Sequence, residues 1–364
     1  MSIEELNRIG GELKRSPLFN LSLASKELFH SNFLSWLSEC NWDVFVKVMS
    51  DLAKKHFDWN KEDFEVCRED DNFDLSVRKK LDNMPVFVLE NKVKSIPNEE
   101  QLKRYTEKVQ SKKIDITAIS FVLLSLTELN SCPTEWKQRN YSDLSNYILR
   151  YMNDIADCYH RLVVMDYCTY ISNLQLLADN WNMSLLPTED FQKLLKDLRL
   201  NDVYQKATCS FLCKELEKKL RDKDISPVHI DKFDLKDKYK SQKVFTRYDM
   251  SHGEGLFEVI IKVGDIWFEI MIQGSNYQHM IYGEEDVIKT LLDDNDEKLG
   301  FVFDGKQYPN ILQSDLQGDG NKKKGYNSYS KDGYLTIYKY KKIDDVNGNN
   351  AILNAIVDEV KKLL

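Results

Sequence analysis

Long apolar stretches are missing from this 364-residue sequence. The longest, AISFVLLSL from Ala118, falls far short of the ~20 residues that a membrane-spanning helix needs. A membrane protein is therefore not expected. The opening residues, MSIEELNRIGGELKRS, are polar and do not read as a secretory signal. Cysteine is sparse: seven residues are scattered along the chain and none forms a CxxC pair. Cys209 and Cys213 stand four apart, a spacing that puts them on one helix face, but no second ligand cluster accompanies them. Zinc is not expected, and the cysteines read as small buried hydrophobes in a reducing cytoplasm. Three catalytic signatures are also absent. Without GxxxxGK[ST] there is no ATP motor, and without HExxH or GxSxG there is no support for a zinc protease or a serine hydrolase.

What is present is an ordinary water-soluble composition, 42% hydrophobic and 30% charged, long enough for two domains or one large one. The net charge of −8 argues, on its face, against nucleic-acid binding. The average conceals a local excess. Between Ser76 and Lys113 ten lysines and arginines face five acids. A solvated charged face is the plain alternative for that excess.

The hydrophobic period divides the chain into three sections. Residues 22–39 predict a helix with Phe29, Phe33, Trp36 and Leu37 on its apolar stripe, and Glu27, His30 and Ser31 on an adjoining face. A second helix is expected over 41–55. The period then shortens: 64–69, 73–79, 85–93 and 118–126 predict strands, the last two covered on both faces. Between these two lies a helix with Asn98 as its N-cap and Glu99 and Glu100 in its first turn. Three strands with short polar breaks suggest a meander, and the strand–helix–strand connection suggests a parallel pair, so the four-stranded sheet is expected to be mixed. Residues 1–140 thus read as an α/β core. Residues 141–235 read as a helical section, with a stripe of Ile155, Tyr159, Leu162, Tyr170 and Leu174 and an N-cap at Thr188. Residues 236–364 read as an α+β region: five strands, a Gly264-Asp265 hairpin turn, an exposed loop over 317–333 and a terminal helix from about Asn350.

The unusual strand is PVFVLENKV, where Glu90 and Lys92 interrupt an apolar run. Strand period 2 puts Val86, Val88, Glu90 and Lys92 on one face. Asp74 lies sixteen residues before Glu90, in the preceding strand, and a hairpin between the two would bring the carboxylates together. Burying a polar group without compensation costs about 2–7 kcal/mol, so the charges need a reason. A structural ion pair is one, but such pairs often add little net stability. Two carboxylates and an ammonium are also what metal-assisted phosphodiester hydrolysis needs: hard oxygens for Mg²⁺, and a cation to orient water or stabilise charge.

Asp74, then Glu90-Asn91-Lys92, then a helix carrying Gln101 and Tyr105, resembles the PD-(D/E)XK nuclease superfamily. Closest in pattern is a bacterial group whose core reads roughly D…(apolar)ENK…QLxxY. The resemblance spans about residues 20–130 and is sharpest at 73–105, and it implies a restriction-endonuclease-like core. Phe73 stands where the superfamily has proline. The resemblance implies Mg²⁺ or Mn²⁺ on Asp74, Glu90 and the Asn91 backbone carbonyl, with Lys92 as the catalytic lysine. It also implies that Glu27 on the first helix reaches the metal, and that Gln101 and Tyr105 stand beside the active site or the bound strand. A solvent-facing Glu27, a core-packed Tyr105 and a solvated Gln101 are the alternatives. Arg78, Lys79, Lys94, Lys103 and Arg104 are candidates for phosphate contact, or plain surface charges. The implied activity is a DNA nuclease in bacterial defence or DNA processing. Two other readings stay open: a catalytically silent module that binds nucleic acid or a protein, and a nuclease subunit that needs a partner or a second copy. Aromatics in WFEIMIQGSNYQHM are candidates for base stacking or for core.

Overall fold

The computed structural model describes residues 2–22, 26–93, 95–97, 99–112, 114–129, 132–230, 241–293, 327–343 and 348–364, with the backbone alone for Lys26, Glu27 and Asp293. The chain divides into two compact units, Met1–Trp181 with Glu189–Val203, and Asn182–Thr188 with Tyr204–Leu364. Among the described residues no helix is long and apolar enough to cross a membrane.

The first unit opens with four helices: α1 (Ile3–Arg15), α2 (Pro17–Ser22), α3 (Lys26–Cys40) and α4 (Trp42–Ala53). α1 lies outside the expected elements, although Leu6, Ile9 and Leu13 recur at helical spacing on its buried face. Its start is fixed by a capping box in which Ser2 and Glu5 exchange backbone N–H bonds. The sheet follows with β1 (Phe64–Asp70), β2 (Phe73–Lys79) and β3 (Pro85–Lys92). After these come α5 (Glu99–Ser111), β4 (Ser120–Ser125) and β5 (Trp136–Arg139). Its strand order is β1-β2-β3-β4-β5. The first three strands run antiparallel and β3, β4 and β5 run parallel, so the sheet is mixed as expected. It has five strands rather than four. The fifth, Trp-Lys-Gln-Arg, holds one apolar residue and shows no period of its own; pairing with β4 creates it.

The β1–β2 hairpin closes through Asp71 and Asn72, whose φ values of 58° and 67° suit a two-residue type I′ turn. On one face of the sheet α5 packs Leu102 and Val109 against Phe73, Val88, Phe121 and Leu123. On the other, Phe57 stacks on Trp59 at 4.0 Å and both rings stand edge-on to Phe87. The unit is completed by α6 (Tyr141–Arg150), α7 (Cys158–Asp179) and α8 (Glu189–Asp197), the last beginning just after Thr188. On α7 the buried face is Val164, Tyr167, Tyr170, Ile171 and Leu174. Of the expected stripe, Tyr159 and Leu162 are exposed and Ile155 lies ahead of the helix. Ile155 precedes the helix start at Cys158, so one helical period does not connect it to α7, and Tyr159 and Leu162 lie in the first turns, ahead of the first buried residue, Val164.

The second unit pairs a seven-stranded sheet with helices. Most of α9 (Asn201–Arg221) belongs to it, followed by β6 (Val228–His229), β7 (Val244–Ser251), β8 (Glu254–Val263), β9 (Ile266–Gln273) and β10 (Asn276–Glu284). Then come α10 (Glu285–Asp293), β11 (Asn327–Lys331), β12 (Tyr334–Lys342) and α11 (Gly348–Leu363). The order is β11-β12-β10-β9-β8-β7-β6, and only β6–β7 is parallel among the described strands. Gly264-Asp265 forms the expected hairpin turn, with Gly264 at φ 62°. The loop expected over 317–333 is corrected at its end. Residues 327–331 form the edge strand β11, turned by Asp332-Gly333, and 317–326 lie outside the described residues. An exposed polar edge strand has no alternation for a sequence to display. Phe268 and Tyr277 are buried in the core of this unit.

Candidate active site

The residues singled out on β2 and β3 meet. Leu75 pairs with Leu89 across the hairpin, which puts Asp74 and Glu90 at the next opposing positions. Ser76 opposes Val88, so the face carrying Asp74, Glu90 and Lys92 is the one covered by α5. The Asp74 carboxylate accepts the Asn91 backbone N–H at 2.6 Å, which fixes Asp74 to the strand beside it. Glu90 is 2% exposed and Lys92 8%, and Lys92 Nζ lies 2.7 Å from Glu90 Oε1. Gln101 Nε2 donates to the same oxygen at 3.1 Å and contacts the Tyr105 hydroxyl at 2.7 Å. Helix spacing of four sets Gln101 and Tyr105 on one face of α5, above the strand end.

Tyr105 packs in the core and also reaches Gln101. Its ring stands edge-on to Phe73 at 5.5 Å, inside the apolar cluster, while its hydroxyl points to Gln101. Partial burial, and then the Glu90 charge, push its phenol pKa up, so it stays protonated. Asn91 faces the opposite side of the sheet. Its Nδ2 donates to Ser31 Oγ at 2.8 Å, and Ser31 is fully buried on α3. This bond anchors the middle residue of the Glu-Asn-Lys triplet from behind. Ser31 carried no signal beyond its helix face, because its partner is sixty residues away.

Other candidates are placed elsewhere. Arg78 is 3% exposed and its guanidinium holds Asp70 at 2.9 Å and Asp71 at 3.0 Å. Lys112 Nζ lies 2.6 Å from Asp71, and Lys108 donates to the Asp71 carbonyl at 2.8 Å. Three cations of the basic excess therefore converge on the β1–β2 turn. The Lys112 and Arg78 bonds hold the Asp71 carboxyl down at about 2. Lys103 pairs with Glu99 at 2.6 Å, and Lys79 and Arg104 are exposed. The side chain of Glu27, and Lys94 and Asn98, lie outside the described residues. His30 is fully buried among Tyr141, Tyr167 and Tyr170, with Nδ1 3.0 Å from the Tyr167 hydroxyl. Burial lowers its pKa to about 3, so it is a neutral core residue.

The donor chemistry fits a hard divalent cation. Asp74 and Glu90 offer carboxylate oxygens at neighbouring positions of one sheet face, and one or two protein carboxylates are the usual complement for Mg²⁺. Burial of Glu90 within a central strand, with oriented donors around it, keeps that carboxylate in one place.

Neither the comparison with curated proteins nor that with solved structures gives a match. A family model does match. It covers residues 18–169, from α2 into α7, and so contains the whole five-stranded sheet, Asp74, Glu90, Lys92 and α5. The matching model is that of the PD-(D/E)XK nuclease superfamily, and residues 18–169 are similar to it.

Proposed function

We infer that the first unit is a metal-dependent nuclease that hydrolyses phosphodiester bonds in DNA. The observation that carries this is the buried Glu90–Lys92 pair, set beside Asp74 on the α5 face of a central strand. Asp74, Glu90 and the Asn91 backbone carbonyl would hold Mg²⁺ or Mn²⁺, with Glu27 as a further carboxylate from α3. When bound, the ion polarises the phosphoryl group and lowers the pKa of a water. Lys92 places a positive charge on the same face, where charge grows in the transition state. Gln101 orients the Glu90 carboxylate, and Tyr105 holds Gln101 in turn. Lys94 and the exposed Arg104 are proposed to contact phosphates, whereas Arg78 supports the hairpin turn instead. The setting proposed from the resemblance is defence against foreign DNA, or DNA processing, in a bacterial cytoplasm.

One observation favours a second reading, a subunit that is silent until a nucleic-acid or protein partner engages it. Lys92 is closed onto Glu90, and three cations are turned onto Asp71, so part of the basic excess is already neutralised within the chain. The deciding experiment incubates the protein with single-stranded, linear and supercoiled DNA, and with RNA, in Mg²⁺ or Mn²⁺, beside Lys92→Ala. Cleavage of DNA that falls by about a hundredfold or more in Lys92→Ala supports the nuclease reading, on the scale of a lost acid–base group. If folded parent protein cleaves nothing, and binds no divalent metal that Asp74→Ala removes, the reading fails.

A further inference from the structure

The second unit contains a convergence of donor atoms that the nuclease chemistry does not use. Cys213 and Glu217 lie one turn apart on α9, and His229 lies on β6. Among the described residues they are the one group of three metal-ligating side chains whose donor atoms all lie within 4.8 Å of one another. Cys213 is fully buried, Glu217 is 8% exposed and the His229 side chain is 33% exposed. We propose that Cys213 Sγ, Glu217 Oε1 and His229 Nδ1 bind one transition-metal ion of the zinc class.

The geometry is close to what such an ion needs. Bonds of about 2.3 Å to sulfur and about 2.0 Å to nitrogen and oxygen give ligand–ligand edges of roughly 3.3–3.5 Å in a tetrahedron. The edges here are 3.9 Å from sulfur to Oε1, 4.0 Å from sulfur to Nδ1 and 3.0 Å from Nδ1 to Oε1. The sulfur has to approach by about half an ångström, less than a rotamer change. The backbone already supplies the alignment. A spacing of four residues stacks Cys213 and Glu217 on one helix face, and parallel pairing places His229 directly beside Thr246 of β7.

The surroundings also orient the ligands. Thr246 Oγ1 donates to Glu217 Oε1 at 2.7 Å, and Arg221 Nη2 donates to Oε2 at 3.3 Å. These outer partners hold the carboxylate with Oε1 turned toward the sulfur and the imidazole, which is the role such groups play around metals. The donor set is one thiolate, one imidazole and one carboxylate. That mixture suits zinc, cobalt or nickel, and not the all-oxygen preference of Mg²⁺. Three protein ligands leave the fourth position to solvent, on the side where His229 is exposed. Binding breaks the Cys213 S–H bond, forms a metal–sulfur bond and releases one proton, with no change in oxidation state. The plain alternative is a carboxylate–histidine hydrogen bond with a core cysteine nearby. Helical spacing marks Cys213 only beside Cys209, and His229 has no spacing relation to Cys213 and Glu217 until β6 forms.

The test is titration of the full-length, metal-stripped protein with Co²⁺ alone, read by sulfur-to-cobalt charge-transfer absorption in the near ultraviolet. An oxygen-only site at Asp74 and Glu90 gives no such band, so the Asp74→Ala protein should retain it. One equivalent should saturate the band, and Zn²⁺ should displace it. Cys213→Ser should abolish it. His229→Asn, a change at a partly exposed edge-strand position that spares the core, should weaken Co²⁺ binding at least tenfold, with circular dichroism unchanged. Absence of a band at one equivalent overturns the proposal. So does a band that survives Cys213→Ser, which would belong to another cysteine, or one indifferent to His229→Asn.

Discussion

Lys92→Met asks whether the two charges in β3 are there for stability. The substitution keeps the length of the aliphatic stem and removes the ammonium that lies 2.7 Å from a carboxylate only 2% exposed. Breaking a buried pair from one side costs about 3–5 kcal/mol, because the remaining charge keeps its desolvation penalty. Gln101 still donates to Glu90, which places the expected loss near the lower end, about 3 kcal/mol. With a urea slope of about 2 kcal/mol/M, the midpoint of the first unit should fall by about 1.5 M. Tryptophan fluorescence reports that unit, since Trp36, Trp42, Trp59, Trp136 and Trp181 lie in it and Trp267 alone lies in the other. The double variant Glu90→Leu/Lys92→Met should recover to within about 1 kcal/mol of the parent, because apolar replacement of a buried pair is often neutral. Both variants should be inactive. A stable, inactive double variant would mean that the pair is retained for chemistry. The reasoning is refuted if Lys92→Met costs less than about 1 kcal/mol, or if the double variant is as unstable as the single.

Three further predictions concern titration and the α5 network. His30 has its pKa lowered to about 3 by burial, below its value of 6.5 in the unfolded chain. Its contribution is complete above pH 6.5 and is lost as pH falls toward 3, at a limiting slope of about 1.4 kcal/mol per pH unit; His30→Gln should remove that slope from urea midpoints measured between pH 6.5 and 4. Asp71 is depressed to about 2 by Lys112 and Arg78, so its contribution is present above the unfolded carboxyl range and is lost as pH falls through about 2. Solvent screening limits it to at most about 1 kcal/mol, and Asp71→Asn should show that deficit at pH 6 and a smaller one at pH 3. Tyr105→Phe deletes the hydroxyl that holds Gln101, and should cost about 1 kcal/mol or less in stability. Its kcat on DNA should fall severalfold; an unchanged kcat would remove Gln101 and Tyr105 from the proposed site.

The strands of the first sheet were legible wherever alternation or a continuous apolar run marked them, and they bounded the site. Glu90 and Lys92 share a face by the two-residue period alone, and Gln101 and Tyr105 share one by helical spacing. These relations are local and follow from the chain's own geometry. Asp74 required one further step, the β2–β3 register, which a short polar break made legible. Elements without a period of their own were not legible. Four-residue β5 and polar β11 exist because a neighbouring strand offers its free edge.

Residue types and local period determined the α/β class, the charged interruption of β3 and the side of that strand on which it falls. Tertiary structure decided what each charge meets. It sent Arg78 and Lys112 to Asp71, tied Asn91 to Ser31 across the sheet, sealed His30 among tyrosines and brought His229 to Cys213 and Glu217. The physical reason is range. Period and spacing act over a few residues of backbone, whereas ion pairs, buried hydrogen bonds and ligand clusters join residues whose separation in sequence carries no information until the sheets close.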